Sequence, residues 1–200
     1  MNFDEIPTVG PEDKTQKDFY VDNRHVSLQA ALDVAPKKGD YLEFGVYKGE
    51  CARAIVKRTP NRSKLHLFDS FEGLPETWIP GRFEKGSLAV AEEDIPVFKS
   101  KKVVMHKGWF EDTVPGYSKS KAIIGFIHID CDLYSSTKTV LDALESRIGK
   151  GTVILFDEFM GYNGWQNHEY KAFQEFIERT GKQFEYIHKS NYSQMCVKFL

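Results

Sequence analysis

What most constrains this chain is an alternation that runs through nearly all of it: short, unbroken apolar runs separated by stretches of helical periodicity. Residues 41–46, 65–68, 103–106, 123–129 and 152–156 read as strands. Glu50–Arg58, 136–147 and 169–179 read as helices, the second with Leu141, Leu144 and Ile148 on one face. Upstream, apolar residues recur at helical spacing over Phe19–Val34 until Pro36 and Gly39 end the pattern. Runs 184–188 and 195–200, split by the turn-like Lys189-Ser190-Asn191, read as a closing hairpin. Apolar strands alternating with helices predict an α/β fold, with a parallel sheet covered on both faces. Residues 18–200 are expected to form a single domain after a loose lead-in over 1–17, where Pro7, Gly10 and Pro11 stand among charges.

Composition narrows the partners. The 27 basic and 29 acidic residues leave a net charge of -2, so there is no basic excess to hold a nucleic-acid backbone. No apolar run approaches the length of a membrane span. Met1–Gly10 is polar and has no apolar signal core, and Cys51, Cys131 and Cys196 are too scattered for a disulfide framework or a thiolate metal site. The expectation is a cytoplasmic protein with a small-molecule partner, free of nucleic acid and membrane, its oligomeric state open.

In parallel sheets, ligands bind beyond the carboxyl ends of the strands. The first strand runs into Gly45-Val46-Tyr47-Lys48-Gly49, where glycines let the backbone approach a ligand closely; a plain tight turn is the alternative. Asp69, with Ser70 beside it, ends the second strand 20 residues after Gly49 and is placed to accept hydrogen bonds from a ribose. The loop lacks the full G-x-G-x-x-G, which favours a nucleoside without a pyrophosphate, such as S-adenosylmethionine, over NAD. Gly108-Trp109-Phe110 follows the third strand, where it can shelve an adenine or simply pack in the core.

Asp130-Cys131-Asp132 ends the fourth strand and Asp157-Glu158 the fifth. Four carboxylates at neighbouring strand ends are costly to bury without a cation, and hard oxygen donors suit Mg²⁺ or another divalent cation. A helix cap accounts for one of them, hardly for four. His128, deeper in an apolar strand, reads as a core histidine. The aromatic segment Phe159-Met160-Gly161-Tyr162-Asn163-Gly164-Trp165 can wall a polar substrate, form an interface or pack. The long stretch 70–101, rich in proline and glycine, has the composition of a lid or binding loop.

Five of these segments, in order, resemble the macrocin O-methyltransferase (TylF-type) family of class I S-adenosylmethionine-dependent methyltransferases. They are Leu42-Glu43-Phe44-Gly45-Val46-Tyr47-Lys48-Gly49-Glu50, Phe68-Asp69-Ser70-Phe71-Glu72-Gly73-Leu74-Pro75, Gly108-Trp109-Phe110-Glu111-Asp112-Thr113, His128-Ile129-Asp130-Cys131-Asp132-Leu133-Tyr134-Ser135-Ser136-Thr137 and Phe156-Asp157-Glu158. The resemblance implies a seven-stranded Rossmann-like sheet whose last strand is antiparallel. It implies cofactor residues matching Glu43, Gly45, Gly49 and Asp69, to which Ser70, Gly108, Trp109 and Asp130 are added by position. It implies a divalent metal, usually Mg²⁺, on residues matching Asp130, Asp157 and Glu158, and a base matching Asp132. Glu158 stands where family members often carry a second Asp. The antibiotic-sugar enzymes are longer at the N-terminus, so a macrolide acceptor is not carried over.

The expected function is metal-dependent O-methylation of a small-molecule hydroxyl, on a sugar or glycoside. A catechol-type methyltransferase is the alternative within the class. Outside it stands a nucleotide-sugar glycosyltransferase using Asp130-x-Asp132.

Overall fold

Side chains in the central strands are buried whichever way they point, so each strand can sit only between two helical layers. A computed structural model describes residues 3–119 and 122–200 and shows this arrangement. Strands β1 (Thr8–Val9), β2 (Asp40–Phe44), β3 (Leu65–Asp69), β4 (Val103–Lys107), β5 (Ile124–Ile129), β6 (Val153–Phe156), β7 (Phe184–Ser190) and β8 (Met195–Phe199) form one sheet. Their order is β1-β7-β8-β6-β5-β2-β3-β4. The central pairings are parallel, and β8 runs antiparallel to both β6 and β7.

Helices α1 (Phe19–Val34) and α2 (Glu50–Arg58) cover one face; α3 (Phe110–Ser118), α4 (Tyr134–Leu144) and α5 (Glu169–Thr180) cover the other. Strand alternation divides the core between them. Leu42, Phe44, Ile127, Ile129, Ile154 and Phe156 pack under α3, α4 and α5. Tyr41, Phe126, Val153 and Leu155 pack under α1 and α2.

The sheet has eight strands rather than seven, because the segment before α1 adds one. Thr8 and Val9 pair with Lys189 and Ser190 of β7, Ile6 is buried, and the Phe3 ring meets Phe159, Trp165, Tyr170 and Tyr186. A two-residue strand carries no period for a sequence pattern to reveal. Helix α3 was also hidden, because Pro115 lies inside it and argues locally against a helix. β2 stops at Phe44, short of Val46, because Gly45 turns the chain at φ +86.

Candidate active site

The site lies where strand order reverses, between β2 and β5. Here Gly45 and Asp130 meet backbone to backbone. A Cβ on Gly45 would lie 1.7 Å from the Asp130 carbonyl oxygen, so glycine at this position serves the approach of the two strand ends to each other. Gly49 has φ +77, and its missing Cβ makes room for Pro96 of the long loop. Gly49 does not line the cavity; Gly45 does.

Asp69, at the end of β3, holds the loop after β2. Its Oδ2 accepts from the backbone N–H groups of Val46 (2.7 Å) and Tyr47 (2.9 Å), and its Oδ1 from that of Phe71 (2.7 Å). A carboxylate has about four acceptor positions, so about one remains for a ligand hydroxyl. Ser70 Oγ accepts from the Glu72 N–H. Gly108 bonds through its N–H to the Asp69 carbonyl, and Trp109 immediately precedes α3; both line the cavity with Asp69 and Ser70. Phe110 lines it too, with its ring set edge-on against Phe44.

Glu43 stands elsewhere. It is 1% exposed inside the sheet, with Oε1 3.1 Å from His128 Nδ1, and does not line the cavity. Burial raises the Glu43 carboxyl above its ordinary range, moderated by His128. His128 is fully buried, as a core histidine should be; burial opposes its charge, but the neighbouring Asp157 and Glu43 outweigh this and raise its pKa.

Across the cavity, ligand oxygens of Asp130, Asp132 and Glu158 lie within 4.8 Å of one another. Asp157 is beside this group but turned away from the cavity. It receives the Tyr20 hydroxyl (3.1 Å) and the Gln194 amide (3.2 Å), and it forms an ion pair with Arg24, whose Nε lies 3.2 Å away. Arg24 Nη2 also pairs with Asp130 Oδ2, and the Tyr20 hydroxyl lies 3.3 Å from Glu158 Oε1. Beneath the cluster a further acid, Glu169 at the start of α5, is fully buried and accepts the Glu158 N–H at 3.0 Å.

Asp132 takes an unusual backbone conformation, φ +62, that a non-glycine residue adopts only at a cost. The turn aims a buried carboxylate at the cluster. Burial and the charge of Asp157 push its pKa up to about 7, a value suited to taking and releasing a proton near neutrality. Burial and the surrounding carboxylates likewise drive Glu158 and Glu169 well above the usual range. Asp157 goes the other way: burial opposes its charge, but Arg24 dominates and lowers its pKa. Glu158 Oε2 is buried without a hydrogen-bond partner. Hard oxygen donors, an orphaned carboxylate oxygen and raised pKa values fit a divalent cation at this cluster.

The two halves face one cavity of about 800 Å³. Its far wall is the long loop, where Trp78 stacks on Phe83 and meets Tyr162 edge-on. Of the aromatic segment after Glu158, Tyr162 lines the cavity, whereas Phe159 is core and Trp165 packs on Phe3 and Tyr170. Sequence reasoning missed Tyr20, Arg24 and Glu169. A trace of α1's role was visible: Asn23 and Ser27 interrupt its apolar stripe, and both are fully buried.

Residues 22–182 match the macrocin O-methyltransferase (TylF) family. The chain belongs to that family. It is 28% identical over 159 residues to the 8-demethyl-8-(2,3-dimethoxy-alpha-L-rhamnosyl)-tetracenomycin-C 4'-O-methyltransferase of Streptomyces olivaceus, covering 70% of this chain and 59% of that protein. It is 28% identical over 141 residues to the demethyldecarbamoylnovobiocin O-methyltransferase of Streptomyces niveus, covering 61% of this chain and 53% of that protein. The matches thus span less than two thirds of either relative's length. Among solved structures, the calicheamicin methyltransferase CalS11 shares the fold, with a TM-score of 0.67 and 20% identity over 94% of this chain and 80% of that one. Among the described residues, no helix is long and apolar enough to cross a membrane.

Proposed function

We propose that this chain transfers the methyl group of S-adenosylmethionine to a hydroxyl of a sugar or glycoside, assisted by a divalent cation. One observation carries the reading. A single cavity of about 800 Å³ has a loop-anchoring carboxylate, Asp69, on one side and the converging Asp130, Asp132 and Glu158 on the other. Membership of the family supports the methyl donor, and a relative named for a rhamnosyl-bearing substrate supports a glycosidic acceptor.

In this mechanism the open acceptor position of Asp69 takes a ribose hydroxyl, and Gly108 and Trp109 shelve the adenine. Bound S-adenosylmethionine supplies an electrophilic sulfonium methyl. Asp130 and Glu158 belong both to the ligand set the family implies and to the group that converges here, so they are assigned to the cation. Asp157 and Asp132 are the two alternatives for a third ligand. A bound divalent cation supplies Lewis-acid stabilisation of negative charge on the acceptor oxygen. Asp132 takes the hydroxyl proton on a carboxylate oxygen as the methyl is transferred in line. The long loop and Tyr162 exclude water and hold the acceptor in place, an alignment worth about 7–11 kcal/mol in favourable cases.

The test is calorimetry with S-adenosylhomocysteine, followed by transfer of labelled methyl from S-adenosylmethionine to a panel of glycosides, nucleotide sugars and catechols. Binding with transfer to a glycoside, lost in EDTA and restored by Mg²⁺, is expected. No binding of S-adenosylhomocysteine would reject the reading, and transfer to catechols alone would move it to the catechol-type enzymes.

A further inference from the structure

Helix α1 lies outside the sheet, yet it sends two side chains, Tyr20 and Arg24, one turn apart into the carboxylate cluster. Between them they reach Asp130, Asp157 and Glu158. Arg24 contacts Asp130 through Nη2 and Asp157 through Nε, so one planar group spans the ends of β5 and β6. A lysine ammonium, a single point of charge, does not match that fork. The Arg24 side chain is 22% exposed and its Asp157 partner fully buried.

Its position is set from both sides along the helix. The Asn23 amide donates to the carbonyls of Phe19 and Pro11, and its Oδ1 accepts the Asn191 N–H. Ser27 Oγ lies 3.1 Å from His188 Nε2. Two fully buried polar residues thus pin α1 to β7 and to the turn after it, one residue before Arg24 and three after. Polar groups buried on a helix that could have been wholly apolar there argue that its register matters.

We propose that Arg24 is a positioning residue of the cation site: it holds Asp130 and Asp157 in the orientation in which the cluster takes a divalent cation, with Tyr20 as its auxiliary. Arg24 takes Asp130 Oδ2, which leaves Oδ1 to a cation. It also draws Asp157 aside, so the negative charge facing the cavity is concentrated on Asp130, Asp132 and Glu158. Partners that orient metal-binding carboxylates in this way typically affect affinity by about 10–100-fold. The proposal rests on the metal reading given above.

The probe is Mn²⁺, titrated into the full chain and followed by electron paramagnetic resonance, with melting temperature measured alongside. Arg24→Met is expected to weaken Mn²⁺ binding by about 10–100-fold and Arg24→Lys to restore part of it, while Tyr20→Phe has a smaller effect. Arg24→Lys keeps the charge and decides the matter should Arg24→Met fail to fold. Folded Arg24 variants with a lower melting temperature and unchanged Mn²⁺ affinity would reduce Arg24 to a structural contact and overturn the proposal. Tighter binding in Arg24→Met would make Arg24 a competitor of the cation and overturn it equally. Wild-type chain that binds no Mn²⁺ would remove the metal reading itself, and the proposal with it.

Discussion

Asp69 and Asp132 both end a strand run at the same edge of the sheet, yet their carboxylates are treated in opposite ways. Asp69 accepts three backbone N–H groups, so its charge is matched and the loop after β2 is built around it. Asp132 is buried beside Asp157 and Glu158, with its pKa pushed to about 7. Burial among like charges raises the pKa of a carboxyl group. The Asp69 side of the cavity is therefore held by its own backbone hydrogen bonds, and the Asp132 side carries an electrostatic cost. The structural join between them is the backbone contact of Gly45 with Asp130.

The strongest way to break this contrast is Asp132→Asn. If Asp132 is the base, turnover should fall by about 10²–10⁴ with affinity for S-adenosylhomocysteine unchanged, and excess Mg²⁺ should not restore it. Rescue by Mg²⁺ in steady-state assays would make Asp132 the third ligand instead. Gly45→Ala attacks the join. Its Cβ would fall on the Asp130 carbonyl at a backbone angle that disfavours alanine, so unfolding free energy should drop by about 2–4 kcal/mol in urea titrations. A wild-type midpoint would mean that the two strand ends do not meet as described.

The contrast also has a pH signature. Asp132 has a folded-state pKa near 7, above its unfolded value of about 3.9, so the folded chain holds a proton that the unfolded chain releases. Its contribution to stability is complete below about pH 4 and is lost as pH rises through 7. Metal-free wild type should lose about 2–3 kcal/mol from this group between roughly pH 5 and 8, and Asp132→Asn should not. Comparing the two proteins isolates the effect from groups such as His188, whose burial lowers its pKa to about 4 and makes it act in the opposite direction. Parallel pH profiles would show that Asp132 carries no such proton.

The smallest expected effect is on the matched side. Asp69→Ala should weaken S-adenosylhomocysteine binding by about 1.5–3 kcal/mol, through one lost charged hydrogen bond and a loosened loop. Asp69→Asn keeps one acceptor oxygen and should lose less. Equal calorimetric affinities for wild type and Asp69→Ala would remove Asp69 from the cofactor site.

Local pattern reaches a long way in this chain. The apolar runs locate β2 to β8 to within a few residues, and in the central strands β2, β5 and β6 burial on both faces leaves the run almost unbroken. The same reading puts Gly45, Asp69, Gly108, Trp109, Asp130, Asp132 and Glu158 at the sheet's carboxyl edge, since a strand's end is visible wherever its apolar run stops. All of them line the same cavity. Glu43 and Gly49 share those motifs but do not line the cavity: Glu43 lies within β2 and faces the buried His128, and Gly49 packs against Pro96.

Other decisions needed the folded chain. Arg24 reaches Asp130 across 106 residues of sequence, and Tyr20 reaches Asp157 across 137. No periodicity within α1 encodes a partner that far away. Glu169 reads as an ordinary helix-starting acid until α5 docks and buries it against the Glu158 N–H. β1 exists only because β7 offers an unpaired edge to Thr8 and Val9. Asp157 and Glu158 are neighbours of the same charge type, and only the approach of α1 separates them into a cation-paired anion and a member of the converging cluster. Apolar burial is written residue by residue in the sequence, whereas the pairing of buried charges is settled by which elements the fold brings together.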